Sequence, residues 1–207
     1  YGWTIPTPQE QSIANATSTE IGFTNNGKGG VIPSDGNYFF WCRKGWGNAN
    51  GTLSTTTNTL EAGVYYVEFD YKLADYSNHN NYSTLGSAMN VSVKHGDTEL
   101  VATTLSKRGY AIVNDGSNPG TDKYMIDAPW TKMGAMFELT EDGTATIVVT
   151  QNLKNSGRSD VCYDNFKLYR VYFDETEGTI DLPIDITGYI ANPSFEAGSG
   201  GADDYSY

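Results

Sequence analysis

Cysteine and histidine are scarce: 207 residues hold two of each, Cys42 and Cys162, His79 and His95. That scarcity excludes a Cys-x-x-Cys metal or redox centre and a disulfide framework of several bridges. It leaves two alternatives for the cysteines, a pair of buried thiols or one disulfide between strands far apart in sequence. Basic residues are also few, 13 Lys and Arg against 25 Asp and Glu, for a net charge of −12. Neutralising phosphates needs clustered cations, so nucleic acid is excluded as a partner. No apolar run approaches the roughly 20 residues that span a bilayer, so membrane insertion is not expected, and no signal-peptide pattern opens the chain.

Aromatic residues are abundant: 15 Tyr, 8 Phe and 4 Trp, with charged residues at only 18%. That balance, rich also in Thr, Asn and Gly, suits strands and loops better than helices. In "GVYYVEFDYKL", Tyr65, Val67, Phe69, Tyr71 and Leu73 fall on one face, and Tyr66, Glu68, Asp70 and Lys72 on the other. Such period-two alternation predicts a strand with one core face and one polar face. Further strands are expected at 36–44, 89–95, 98–105, 135–140, 143–152 and 164–173, separated by turn signals such as "PSDGN" and "TEDGT". Helical periodicity nowhere exceeds about two turns. The expected fold class is therefore all-β, a jelly-roll sandwich of two antiparallel sheets. Two long loops, 74–88 and 106–129, carry many polar and aromatic side chains outside the core pattern.

After Phe173 the texture changes. Residues 174–186 read as an acidic linker, and 187–207 opens with "TGYIANPSFEAG". At this point the chain resembles carbohydrate-binding modules of the family 4/9/22 type, galactose-binding-like jelly rolls. "TLEAGVYYVEFDYK" is similar to their Leu-x-Ala-Gly-x-Tyr turn and strand, and "GTATIVVTQN" followed by "CYDNFKLYRV" to their last two strands. "ITGYIANPSFEAG" resembles their first strand, which precedes a Gly-Trp segment, whereas this chain starts at "YGWTIP". The resemblance implies a module over 1–173 whose first strand is missing at the N-terminus. Residues 187–207 would then be the first-strand-like segment of a following module, or a strand that docks back or swaps.

The resemblance also implies non-catalytic binding of a polysaccharide or oligosaccharide. A plant cell-wall glycan such as xylan or β-glucan is expected, with the module targeting a linked glycoside hydrolase in one secreted or surface-attached polypeptide. The alternative is a structural or adhesive spacer in a tandem array. Sugar recognition needs aromatic faces for C–H surfaces and planar polar groups for hydroxyls. Trp46, Tyr76, Tyr82, Tyr110 and Trp130 are the candidate aromatics, with Arg43 and Asn78 as donors; core packing is the competing role for Trp130. By the resemblance, Asp164 and Glu196 are the expected ligands of a structural calcium. Jelly-roll hydrolases carry Glu-x-Asp followed by a second Glu, and "EFDYKL" lacks that Glu, so the chain is not expected to be an enzyme.

Overall fold

The computed structural model describes residues 2–4, 10–15, 32–44, 49–75, 89–100, 103–106, 130–153, 159–174, 179–180 and 183–196. The described residues form strands and one short 3-10 turn, with no α-helix among them. Five strands, β1 (Trp3–Thr4), β4 (Ala49–Thr56), β10 (Thr146–Leu153), β6 (Met89–His95) and β7 (Thr98–Leu100), make the smaller sheet in that spatial order. The larger sheet runs β2 (Glu10–Asn15), β3 (Tyr38–Lys44), β11 (Ser159–Val171), β5 (Gly63–Asp75), β9 (Thr131–Leu139), β8 (Thr103–Ser106). All their pairings are antiparallel. From β3 onward the chain crosses between sheets at nearly every step: β3, then β4, β5, β6–β7, β8–β9, β10 and β11. That alternation makes the sandwich a jelly roll.

The alternation in β5 does what it predicts. Tyr65, Val67, Phe69 and Tyr71 are all buried, facing Leu53, Val91, Val93, Ile147 and Val149 of the smaller sheet in one apolar cluster. Tyr163 and Gln151 bring polar atoms into this core and satisfy one another, the phenol donating to Gln151 Oε1 at 2.8 Å. β11 changes phase half-way. Between Asp164 and Lys167 its register to β5 slips by one residue, and Asn165 sits at φ 53°. The bulge lets Tyr163 and Phe166 both point inward while Asp164 faces out. Cys42 and Cys162 are both buried and form no disulfide. Each lies one position off from being the other's partner, Val161 opposite Cys42 and Trp41 opposite Cys162. Period two therefore sends the two thiols to opposite faces of the sheet.

Residues 174–196 depart from the expected linker and strand. β12 (Phe173–Asp174) pairs with β13 (Thr179–Ile180), and β14 (Ile184–Asp185) pairs with β11 at Arg170 and Tyr169. β3 covers β11 only over 159–163, so β14 takes up the edge that β3 leaves. Beyond it the chain makes a 3-10 turn at Thr187–Tyr189 and a series of turns, not a strand. It still follows the edge: Ile186 N–H donates to Leu168 O, Leu168 N–H to Thr187 Oγ1 and Phe166 N–H to Pro193 O, at 2.8, 3.1 and 3.0 Å. Ile190 and Phe195 of this same chain are buried in the core cluster. Proline 193 and left-handed backbone at Asn192 and Phe195 (φ 49° and 58°) are what prevent extension.

Candidate functional site

The outer face of the larger sheet carries a connected row of polar and aromatic side chains. Register fixes its rows. Asp164, Asp70 and Lys132 lie side by side across β11, β5 and β9; Glu68 lies opposite Lys167 and Gly134; Tyr66 lies opposite Tyr169 and Met136. Lys132 Nζ bridges two carboxylates, 3.2 Å from Glu68 Oε1 and 3.1 Å from Asp70 Oδ1. Asn165, thrown sideways by the bulge, donates its amide to Asp70 Oδ2 at 2.8 Å. At the other end Tyr66 donates its hydroxyl to Glu68 Oε2 at 3.2 Å and its ring stacks on Tyr169 at 6.1 Å. A Cβ on Gly134 would lie 2.6 Å from the Tyr66 hydroxyl, so glycine at this position lets the phenol lie across β9.

The electrostatics follow from partial burial. Burial first, then the neighbouring Glu68 carboxylate, pushes the Tyr66 phenol up to about 12. Burial acts to lower the Lys132 ammonium, but its bonds to Asp70 and Glu68 outweigh that and raise it. Both groups therefore remain protonated at neutral pH, offering donors in a row where carboxylates accept.

A buried, largely apolar patch adjoins this row. Trp41, Cys162 and Lys72 lie in register on the same face. Lys72 is only 5% exposed and holds its ammonium 5.3 Å from the centre of the Trp130 ring. Trp130 packs edge-on against Phe39 and donates its indole N–H to Ile32 O at 2.7 Å. It is half-buried in this packing, the competing role expected for it.

Asp164 and Glu196 both hold the segment 34–38. Asp164 Oδ2 accepts from Ser34 N–H, Ser34 Oγ–H and Asp35 N–H at 2.8, 3.1 and 3.0 Å, and Oδ1 accepts from Asn165 N–H at 2.7 Å. Glu196 Oε1 accepts from the N–H groups of Asn37 and Tyr38, both at 2.8 Å. Gly36, at φ 62°, is the residue on which the chain wraps the Glu196 carboxylate; a side chain there would strike it. Calcium requires converging oxygens, whereas N–H and O–H donors converge here. Among the described residues no three His, Cys, Asp or Glu side chains gather as a metal-holding group. In this arrangement the two carboxylates do not fit a calcium shell.

Trp46, Tyr76, Asn78, Tyr82 and Tyr110 lie outside the described residues, and Arg43 is described as backbone of β3 alone. Sequence reasoning passed over Tyr66, Lys132, Asn165 and Tyr169, and weighed Glu68 and Asp70 only as part of a hydrolytic motif. The signal was present in β5, whose outward positions read Tyr, Glu, Asp, Lys.

No family model matches the chain, and no curated protein matches it. Solved structures similar to it include TmCBM61 in complex with β-1,4-galactotriose, at 13% identity and TM-score 0.42 over 81% of this chain and 88% of that one. A CBM4 structure is similar at 9% identity and TM-score 0.40, covering 81% and 93%. A sugar-binding protein from Bacteroides thetaiotaomicron follows at 14% and 0.37, covering 81% and 87%.

Proposed function

We propose that the chain is a non-catalytic carbohydrate-binding module that holds a polysaccharide on the outer face of its larger sheet. The observation that supports this reading most is the row running from the Tyr66–Tyr169 pair through Glu68, Lys132 and Asp70 to Asn165. Aromatic faces receive sugar C–H surfaces, and a row of fixed donors and acceptors meets ring hydroxyls. The ion pairs hold these groups in place before a ligand arrives, which lowers the ordering cost of binding. Glu68 and Asp70 are bridged by one lysine, an arrangement that suits acceptors better than the separate acid and nucleophile of a hydrolytic pair. The family motifs in the sequence point the same way. A plant cell-wall glycan is the class we favour, with tethering of a linked hydrolase in a secreted protein as the biological use.

Affinity electrophoresis against xylans, mixed-linkage glucans, mannans, galactans and pectins tests this reading. One class is expected to retard the chain, with binding about 30-fold weaker in Tyr66→Ala or Trp130→Ala, the loss associated with an interface anchor. If none retards it, the spacer reading takes its place.

We also infer that Asp164 and Glu196 are acceptors for the 34–38 segment and not calcium ligands. The thermal midpoint is then expected to be the same with excess chelator as with millimolar calcium. A fall of several degrees on chelation would restore the metal.

A further inference from the structure

A set of hydrogen bonds joins Ser194 and Glu196 to the row just described, by way of the backbone of residues 34–38 and 164–165. Glu196 Oε1 takes the N–H groups of Asn37 and Tyr38, and Ser194 Oγ–H donates to Asp35 Oδ2 at 2.9 Å. The same segment, at Ser34 and Asp35, is held from its other side by the Asp164 carboxylate. Two routes leave it for the outer face. Through the backbone of Asp164–Asn165, the Asn165 amide fixes Asp70, and Asp70 fixes Lys132. Through Ile32, the carbonyl fixes the Trp130 indole. Ile32 is 72% exposed, so its side chain packs against little that would hold the carbonyl in place. Its position is inherited from residues 34–38. The turn 192–196 is in turn locked to the body by the Trp3 indole, donating to Asn192 O at 3.0 Å, and by Phe195 between Trp3 and Phe40.

We propose that residues 192–196 are a positioning clip for the outer face, with Glu196 the residue that sets the 32–38 segment and, through it, Trp130 and Asp70. A chain in which 192–196 is displaced keeps the pairings of its sheets but presents Trp130 and Asp70 loosely. By linkage, a ligand that fixes Trp130 and Asp70 also tightens the clip. Only the affinity readout below rests on the glycan reading.

The test compares full-length Glu196→Ala with a substitution on the other sheet, Ile147→Val or Ile147→Ala, whichever matches its loss in melting temperature. Trp130 is read by subtracting the fluorescence of Trp130→Phe in each background. Glu196→Ala is expected to raise acrylamide quenching of Trp130 roughly twofold and to weaken glycan binding roughly 3–30-fold, the span of couplings carried through packed networks. The matched control is expected to leave both unchanged. Glu196→Gln, which retains an acceptor oxygen, is expected to fall between. Asn165→Ala combined with Glu196→Ala is expected to lose less affinity than the two single losses multiplied, because both lie on one route. If Trp130 quenching in Glu196→Ala equals that of the matched control, the clip is a structural support and the proposal is overturned. A wild-type chain that binds no glycan removes the proposed function, and the quenching comparison still decides the clip.

Discussion

Phe195→Ala is expected to lower the unfolding free energy by about 3–5 kcal/mol, the range for truncating a buried phenylalanine. The ring is 1% exposed and sits 5.1 Å from Trp3, 5.6 Å from Phe40 and 6.1 Å from Phe166, the last edge-on. Its backbone is left-handed at φ 58°, which costs a non-glycine residue about 1–2 kcal/mol. The chain carries this strain because the ring closes the aromatic end of the core. Alanine keeps the strain and loses the ring, so the released turn also gives up the Phe166 N–H to Pro193 bond. Urea unfolding followed by tryptophan fluorescence measures the loss, and calorimetry should show a fall of about 6–20 °C at this chain length. A loss under about 1 kcal/mol would mean that the segment is not part of the core.

The second large effect is one of pH. Burial pushes the Asp164 carboxyl from 3.8 up to about 7, against the pull of donors from Asp35, Asn165 and Ser34. Among the described residues no cation is bonded to it: Asp35 is tied to Ser194, Glu196 to Asn37 and Tyr38, and Lys132 to Asp70. A raised carboxyl means that folding takes up a proton between those two values. The stabilisation attached to that proton is complete below about pH 4, declines through the interval, and is gone above about pH 7. The proton belongs on Oδ1, which accepts one N–H, while Oδ2 accepts three donors. The 3.8-to-7 shift sets a ceiling of about 4 kcal/mol on the effect. Unfolding free energies of wild type and Asp164→Asn from pH 4 to 8 should therefore diverge, wild type losing ground as pH rises. Wild type gaining ground instead would show that the four donors outweigh burial.

The strands legible in the sequence were those with a clean apolar beat. Tyr65, Val67, Phe69 and Tyr71 announce β5, and the same logic finds β6, β10 and β11. β4 escaped because "ANGTLSTT" hides its inward positions behind threonine: Leu53 and Thr55 are both buried, and Thr55 Oγ1 satisfies itself on Gly2 O at 2.7 Å. β2, "EQSIAN", has no beat at all and is defined only by pairing with β3. The segment 187–196 is strand-like only by the resemblance of its motif to a first strand; Asn192-Pro193 is a turn signal, and the turn prevails. The outer face was half legible. Its residues alternate correctly, but alternation assigns them to solvent, and Asp70 and Lys72 are 6% and 5% exposed. A polar residue that is removed from water by neighbours distant in sequence leaves no periodic trace.

The two ends of the described fold lie against each other. A side chain on Gly2 would strike Ala191, and Trp3 is bonded to Asn192 and stacked on Phe195. A pull applied between residues 2 and 196 would load this seam together with the anchors on each side of it, the β1–β4 pairing behind Trp3 and the bonds from residues 34–38 to Ser194 and Glu196. The two ends part only when one of those anchors is also given up, so the seam works as a clasp across the fold.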